Sequence, residues 1–408
     1  MITVRPRAGG HRRAPLALAA VAVLAGGVLA LPGTALAAGA SAGAAPAGVS
    51  AAYGAPSPVD GTVAACDRPA ARPGSGPSGS AGRSVSCFAR WKAATPLTAA
   101  RRAAAARAAL ASASRAGGTG AAVGPQASPS PSPGPSPTPE PIPLPTKGLR
   151  PADIAAIYAL DPAKGAGATL AIVDAYDNPN VESDLAVYRA ALGLAPCTSA
   201  TKCFRKVNQR GGAQAPEADP GWGVEIALDV QAVSAACPAC KILLVEADDP
   251  QLENMGAAAK RAATLGATVI SHSYGIDEFT GADKLGAAFY GRKGVPDVAS
   301  SGDYGFTAAS FPAVLPSSIA VGGTRVTKRA DGTWAHVAWA GAGSGCSAWF
   351  AKPAWQKDTH CSMRTTSDVS AVADPRSGLA VYDTFGLGAA NGWIVVGAPA
   401  CRRRWSRA

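Results

Sequence analysis

Gly221-Trp222-Gly223-Val224-Glu225-Ile226-Ala227-Leu228-Asp229-Val230 reads as part of an amphipathic helix running from about Trp222 to Ala235. Glu225 and Asp229 are four residues apart in it. That spacing puts both carboxylates on one helix face, one turn apart. Two like charges so close resist joint ionisation and titrate as a coupled pair. A carboxyl with a raised pKa, held by a second carboxyl, is a usable general base in acid medium. The same spacing also suits two solvated acids on a surface helix, since carboxylates are normally exposed. The segments around the pair decide between the two.

Outward from this helix, apolar strand-like runs alternate with helical ones. Ala168–Ala175 reads as a strand and Val181–Leu192 as a helix. Beyond the carboxylate helix come a strand over Lys241–Glu246, a helix over Leu252–Leu265 and a strand over Ala267–Ser271. A helix over Ala282–Lys293 leads into Val295–Ser300, with further short strands at Ser318–Val321 and Trp393–Val396. Alternating β and α with continuously apolar strands predicts an α/β fold with a mainly parallel sheet covered on both faces. In such sheets chemistry collects at the carboxyl ends of the strands. Asp174, Ser271-His272-Ser273-Tyr274-Gly275 and Ser300-Ser301-Gly302-Asp303-Tyr304-Gly305 all fall there.

The first 147 residues read differently. Arg5, Arg7, Arg12 and Arg13, the apolar run Leu16–Leu31 and Ala35-Leu36-Ala37 before Ala38 form a signal-peptide pattern over 1–37. The apolar run is too short for a convincing membrane span, and no later segment is long and apolar enough. Residues 38–124 form an Ala/Gly/Ser/Arg-rich leader, with an Ala/Arg helix conceivable over 97–115. Residues 125–147 are a Pro/Ser-rich linker with no packed core. The net charge of +11 lies in this part: residues 1–147 carry 14 Lys/Arg against 3 Asp/Glu, and residues 148–408 carry 24 of each. With no aromatic stacking platform beside it, the basic excess does not read as a nucleic-acid surface. An exported, extracellular protein is expected, free of the membrane after signal cleavage and monomeric.

Nine cysteines in an exported chain point to disulfides. Local spacing suggests Cys66 with Cys87, Cys197 with Cys203, Cys237 with Cys240 and Cys346 with Cys361, leaving Cys401 odd. Cys237-Pro-Ala-Cys240 has no second Cys pair or His pair near it, so a bridge is expected there rather than a metal.

Four segments together resemble the sedolisins, serine-carboxyl peptidases with a subtilisin-like three-layer fold, and most of all their extracellular actinobacterial type. They are Leu149-Arg150-Pro151 through Tyr158, the Glu225/Asp229 helix, Ser271–Gly275, and Ser300–Gly305 with Phe311-Pro312 and Gly322-Gly323-Thr324. The resemblance covers about 148–397. It implies that Glu225 is the general base for a serine nucleophile and that Asp229 orients and tunes it. It implies that Asp303 serves the oxyanion, where a neutral carboxyl can donate a hydrogen bond. It implies that Ser273, Tyr274 and Gly275 line the substrate cleft by backbone pairing, with peptides or proteins as substrates. The histidine supply agrees: His272, His336 and His360 remain after the signal, and none follows the first strand to open a helix, so a Ser-His-Asp triad is not expected. His272 is expected to be packed or hydrogen-bonded behind the sheet.

One part of the pattern is missing. The family nucleophile sits in Gly-Thr-Ser-x-x-x-Pro, opening a buried helix after a strand. Here the strand Trp393–Gly397 is followed by Ala398-Pro399-Ala400-Cys401-Arg402-Arg403-Arg404-Trp405, and no Gly-Thr-Ser occurs. Deleting one G from codons for Gly-Gly-Thr-Ser-Leu-Ser-Ser-Pro-Val yields Gly-Ala-Pro-Ala-Cys-Arg-Arg-Arg-Trp, the text of 397–405. Residues 398–408 are therefore expected to be a frameshifted tail and the domain 148–397 to be C-terminally truncated, without its serine and inactive. No cofactor is expected, and the calcium site that the resemblance implies would lie downstream. The competing expectations are a secreted peptide-binding pseudo-peptidase and a wall-associated structural protein.

Overall fold

The computed structural model describes residues 62–64, 83–87, 90–92, 144–386 and 392–397. The expected signal peptide, most of the leader and linker, Cys66 and the 398–408 tail lie outside them. Three short strands come first: β1 (Thr62–Ala64), β2 (Ser86–Cys87) and β3 (Arg90–Lys92). Then follow α1 (Pro151–Tyr158), β4 (Thr169–Ala175), α2 (Val181–Ala191), β5 (Phe204–Asn208) and α3 (Pro220–Ala236). The middle of the chain holds β6 (Lys241–Ala247), α4 (Leu252–Thr264), β7 (Val269–His272), β8 (Tyr274–Asp277), α5 (Ala282–Phe289), β9 (Asp297–Ser300) and β10 (Ser310–Phe311). The last part holds β11 (Ser318–Lys328), β12 (Trp334–Ala338), β13 (Gly345–Ala351), β14 (Met363–Thr366), β15 (Val369–Val372), β16 (Leu379–Tyr382) and β17 (Trp393–Gly397).

The main sheet has the order β12-β11-β9-β7-β4-β6-β5, with β15 also pairing β11. Every pair in it is parallel except β11–β12. The period-2 alternation of β4 shows how both faces are covered. Ala171, Val173 and Ala175 point to the side where Leu252, Met255 and Ala258 of α4 pack. Leu170 and Ile172 point to the other side, against Leu185 of α2 and Ile226, Val230 and Val233 of α3. The layers are helix, sheet, helix, as expected for an α/β fold.

The carboxylate helix departs from its amphipathic reading, because almost every residue from Trp222 to Ala236 is buried. The reason is a second sheet, β1-β3-β17-β16. Val224, Ala227 and Leu228 on the far side of α3 pack with Leu379, Val381 and Val396 of that sheet. A helix buried on both sides needs no polar face. Each fully buried Ile or Leu adds about 1.5–3 kcal/mol.

Two boundaries shift for local reasons. The helix expected to reach Lys293 stops at Phe289, because Tyr290 is extended and Gly291 takes φ +70°. The strand expected to end at Val321 continues to Lys328 through Gly322-Gly323. A Cβ on Gly322 would meet Ser367 Oγ at 2.5 Å, and one on Gly323 would meet Ala373 Cβ at 2.8 Å. These glycines therefore mark a close approach of backbone inside a strand, not its end.

Gly223 tests the tightness of α3. A Cβ there would lie 2.7 Å from Phe385 Cδ1, part of a stiff ring. Ala is favoured over Gly in a helix interior by about 1 kcal/mol, while overpacking costs about 1–3 kcal/mol. Gly223→Ala is expected to lower the urea midpoint. A raised midpoint would show that the ring yields freely.

Candidate active site

α3 is fixed at its start by Asp219, whose carboxylate accepts from Gly221 N–H at 2.9 Å and Trp222 N–H at 3.0 Å. Pro220 at the first helical position needs no partner for its nitrogen. The side chain of Asn178 adds a bond to the Gly223 carbonyl at 2.9 Å. With its start pinned, the helix carries Glu225 and Asp229 inward; they are 0% and 7% exposed.

Asp229 meets the sheet at the β7–β8 junction. Ser273 Oγ donates to Asp229 Oδ1 at 2.9 Å, and both groups are buried. Beside them a cleft opens between α3 and the strand ends. Asp229, Ser271, Ser273, Ser300 and Gly302 line its polar end, and Leu228, Val298 and Val321 are among its apolar walls. Asp303 follows β9 and is 4% exposed. Its loop is held by Gly302, at φ +103°, whose carbonyl accepts from Gly343 N–H at 2.5 Å. Ser301 Oγ donates to the Gly343 carbonyl at 2.6 Å.

Burial sets the protonation of this region. Asp229 is pushed up to about 7, chiefly by burial, while the Ser273 bond pulls the other way. Asp174 is raised well above the usual carboxylate range, first by burial and then by the charge of Asp229. Asp174 thus belongs with the site, although the sequence reading marked it only as a strand-end residue. The available signal was a lone carboxyl in an otherwise apolar strand. Next to it in register, Glu246 of β6 is pushed up to about 9 by burial, with the Lys206 ammonium pulling down.

Ser273 is among the residues lining this cleft. The Tyr274 side chain points away: it is fully buried, with its hydroxyl 2.8 Å from His272 Nδ1 and 3.3 Å from Tyr290 Oη. His272 Nε2 lies 2.8 Å from Asp297 Oδ1, which accounts for this histidine away from the cleft. The Tyr274–Gly275 backbone pairs with β2, a pairing the sequence reading missed. Disulfides join Cys197 to Cys203, Cys237 to Cys240 and Cys346 to Cys361. Cys87 is also disulfide-bonded; its expected partner, Cys66, lies outside the described residues. Among the described residues no cluster of His, Cys, Asp and Glu could hold a metal ion.

Asp174, Asp229 and Glu246 all keep protons to higher pH folded than unfolded, so the native state binds more protons above about pH 4. Stability is then fullest in acid and falls as pH rises through about 7 for Asp229 and about 9 for Glu246. Thermal melts from pH 4 to 9 are expected to show a falling midpoint. Asp229→Asn should flatten the slope between about pH 4 and 7, and Glu246→Gln that between about pH 4 and 9. A midpoint that rises with pH would contradict this assignment.

No family model matches the chain. Kumamolisin of Bacillus sp. (strain MN-32) is 29% identical over 267 residues, covering 57% of this chain and 47% of that protein. The chain thus spans about half the length of this curated relative. Among solved structures, Pseudomonas sedolisin, a serine-carboxyl proteinase complexed with two molecules of pseudo-iodotyrostatin, has a TM-score of 0.51 at 23% identity. That match covers 62% of this chain and 76% of the other, and shows the same fold. Sphericase has a TM-score of 0.37 at 19% identity, over 60% of this chain and 76% of its own, and adds nothing to that assignment. The chain is thus similar in sequence to kumamolisin over part of its length and shares the fold of sedolisin.

Proposed function

We propose that residues 148–397 are the scaffold of an exported, acid-favoured serine-carboxyl endopeptidase whose nucleophile is not among them. One observation carries the reading: Asp229, on a buried helix, accepts a hydrogen bond from Ser273 at the end of a parallel strand, beside an open cleft. Glu225 is the general base, one turn before Asp229 on the same helix. Asp229 orients and tunes Glu225, and its charge adds to burial in keeping Asp174 protonated to higher pH. Asp303, buried after β9, is the oxyanion donor in its neutral form. Peptides or proteins are the substrates and the protein acts as a monomer.

The nucleophile has a place to enter. The cleft has Asp229 and Ser273 at one end and apolar walls from α3, β9 and β11, which suits a segment that is apolar along its length and carries a hydroxyl at its start. The text of 398–408, with Arg402-Arg403-Arg404, does not have that character. We infer that this text is a frameshifted tail and that the chain as written does not hydrolyse peptides. Export is supported by the disulfides. Among the described residues no helix is long and apolar enough to cross a membrane.

Resequencing the gene over the codons for 393–408 is the first test. Proteolysis is then assayed at pH 4 with an unfolded protein as substrate. The chain as written is expected to be silent. A version with Gly-Thr-Ser-Leu-Ser-Ser-Pro and its continuation restored after Gly397 is expected to cleave. In that version Asp303→Ala should cost about 10²–10³-fold, the usual effect of removing an oxyanion donor, and Glu225→Gln at least as much. Cleavage by the written chain, or an active restored chain indifferent to Glu225, would overturn the reading.

A further inference from the structure

A second cavity lies at the amino ends of β4, β6 and β5, at the other end of the sheet from the cleft. Thr169, Lys202, Arg205, Lys241, Leu243 and Leu265 are among its walls, and its volume is about 200 Å³. That is several times the roughly 30 Å³ that a water occupies in the liquid. Strand alternation explains the grouping. Ala171, Val207 and Leu243 pack on the α4 side of the sheet. Thr169, Arg205 and Lys241, each two residues before one of them, project to that side too.

The cations of this cavity lack partners. Lys202, Arg205 and Lys241 are exposed, and none of them forms a side-chain hydrogen bond or ion pair among the described residues. No described carboxylate lines the cavity. Elsewhere Lys206 is paired with Asp177, Arg210 with Asp248, Lys352 with Asp358 and Arg364 with Asp368. Residues 148–408 hold 24 charges of each sign, so the unpaired group is not a by-product of a basic domain. The turn that presents Lys202 is also rigid. The Cys197–Cys203 disulfide closes it. Inside it Thr198 N–H donates to Thr201 Oγ1 at 2.9 Å, and Thr201 N–H donates to Thr198 Oγ1 at 3.2 Å. Lys202 itself takes φ +57°, a left-handed conformation that persists only where the surroundings enforce it, often at ligand clamps.

Like charges gathered round one cavity repel, and a bound anion of matching charge relieves them. Arg205 offers a planar fork that can hold phosphate oxygens two at a time, and the lysines add point charges. So small a space with three cations suits a compact, multiply charged anion. We propose that this cavity is a binding site for an oligophosphate, the class that inorganic pyrophosphate represents. It does not rest on the peptidase reading, because it uses none of that site's residues and lies on the other face of the sheet.

Titration calorimetry of the full chain with inorganic pyrophosphate, at constant ionic strength, tests this. Saturable binding is expected, and none with acetate. Lys241→Gln should weaken it at least about tenfold, the effect of losing one charged hydrogen bond. Arg205→Lys keeps the charge but loses the fork, and should weaken binding several-fold; attraction to charge alone would leave it unchanged. Lys293→Gln removes an exposed charge outside the cavity and should change nothing. A readout that needs no variant separates the cavity from the basic leader. Pyrophosphate should slow acetylation of Lys202 and Lys241, followed by mass spectrometry, and leave Lys293 at its usual rate. Pyrophosphate should also raise the melting temperature of the unaltered chain but not that of Lys241→Gln. Absence of saturable binding, unchanged affinity in Lys241→Gln or Arg205→Lys, or equal slowing at Lys293 would overturn the proposal.

Discussion

Carboxyl groups sit in apolar surroundings here because one helix is packed on two sides. α3 lies between the main sheet and the smaller β1-β3-β17-β16 sheet, so Glu225 is fully buried and Asp229 nearly so. Burial, more than mutual repulsion, is what lifts Asp229, and its charge in turn acts on Asp174 across the gap from helix to strand. Moving an ionised carboxylate out of water is costly, and the group responds by holding its proton. The same packing that stabilises the fold therefore keeps these carboxyls protonated to higher pH.

The parallel sheet does the rest of the positioning. β4, β7 and β9 are neighbours, and their carboxyl ends bring Asp174, Ser273 and the Ser300–Asp303 loop to one end of the molecule. None of these residues is close to another in sequence. The glycines at 322 and 323 let chain segments approach where a side chain would intervene, and they do so next to the cleft. Residues 83–87 add a strand to the same region from outside the domain's own stretch of sequence.

Much of this was legible in the amino-acid order. The strand runs at Ala168–Ala175 and Lys241–Glu246 and the Glu225/Asp229 spacing came through because buried parallel strands are continuously apolar and because a helical repeat fixes which side chains are neighbours. The environment of α3 was not legible, since its second covering layer comes from β16 and β17, more than 140 residues downstream. Strand β8 was hidden by its short length and its Gly275. Asp174 was visible as an oddity, but its neighbour Asp229 is set by tertiary packing alone. The role of 83–87 left no local trace: two apolar residues among serines carry no periodic signal, and only pairing with a distant edge gives them meaning.

α3 is closed at both ends. Asp219 caps its first turn, and Cys237, tied to Cys240, follows its last residue. A helix free to fray could relieve crowded carboxyls by rotating or unwinding a turn. This one is denied both movements, so proton uptake from solvent is the relief left to it. The electrostatic strain of the site is thereby converted from a problem of shape into one of acidity, and the pH of the surroundings sets its charge while the backbone stays where it is.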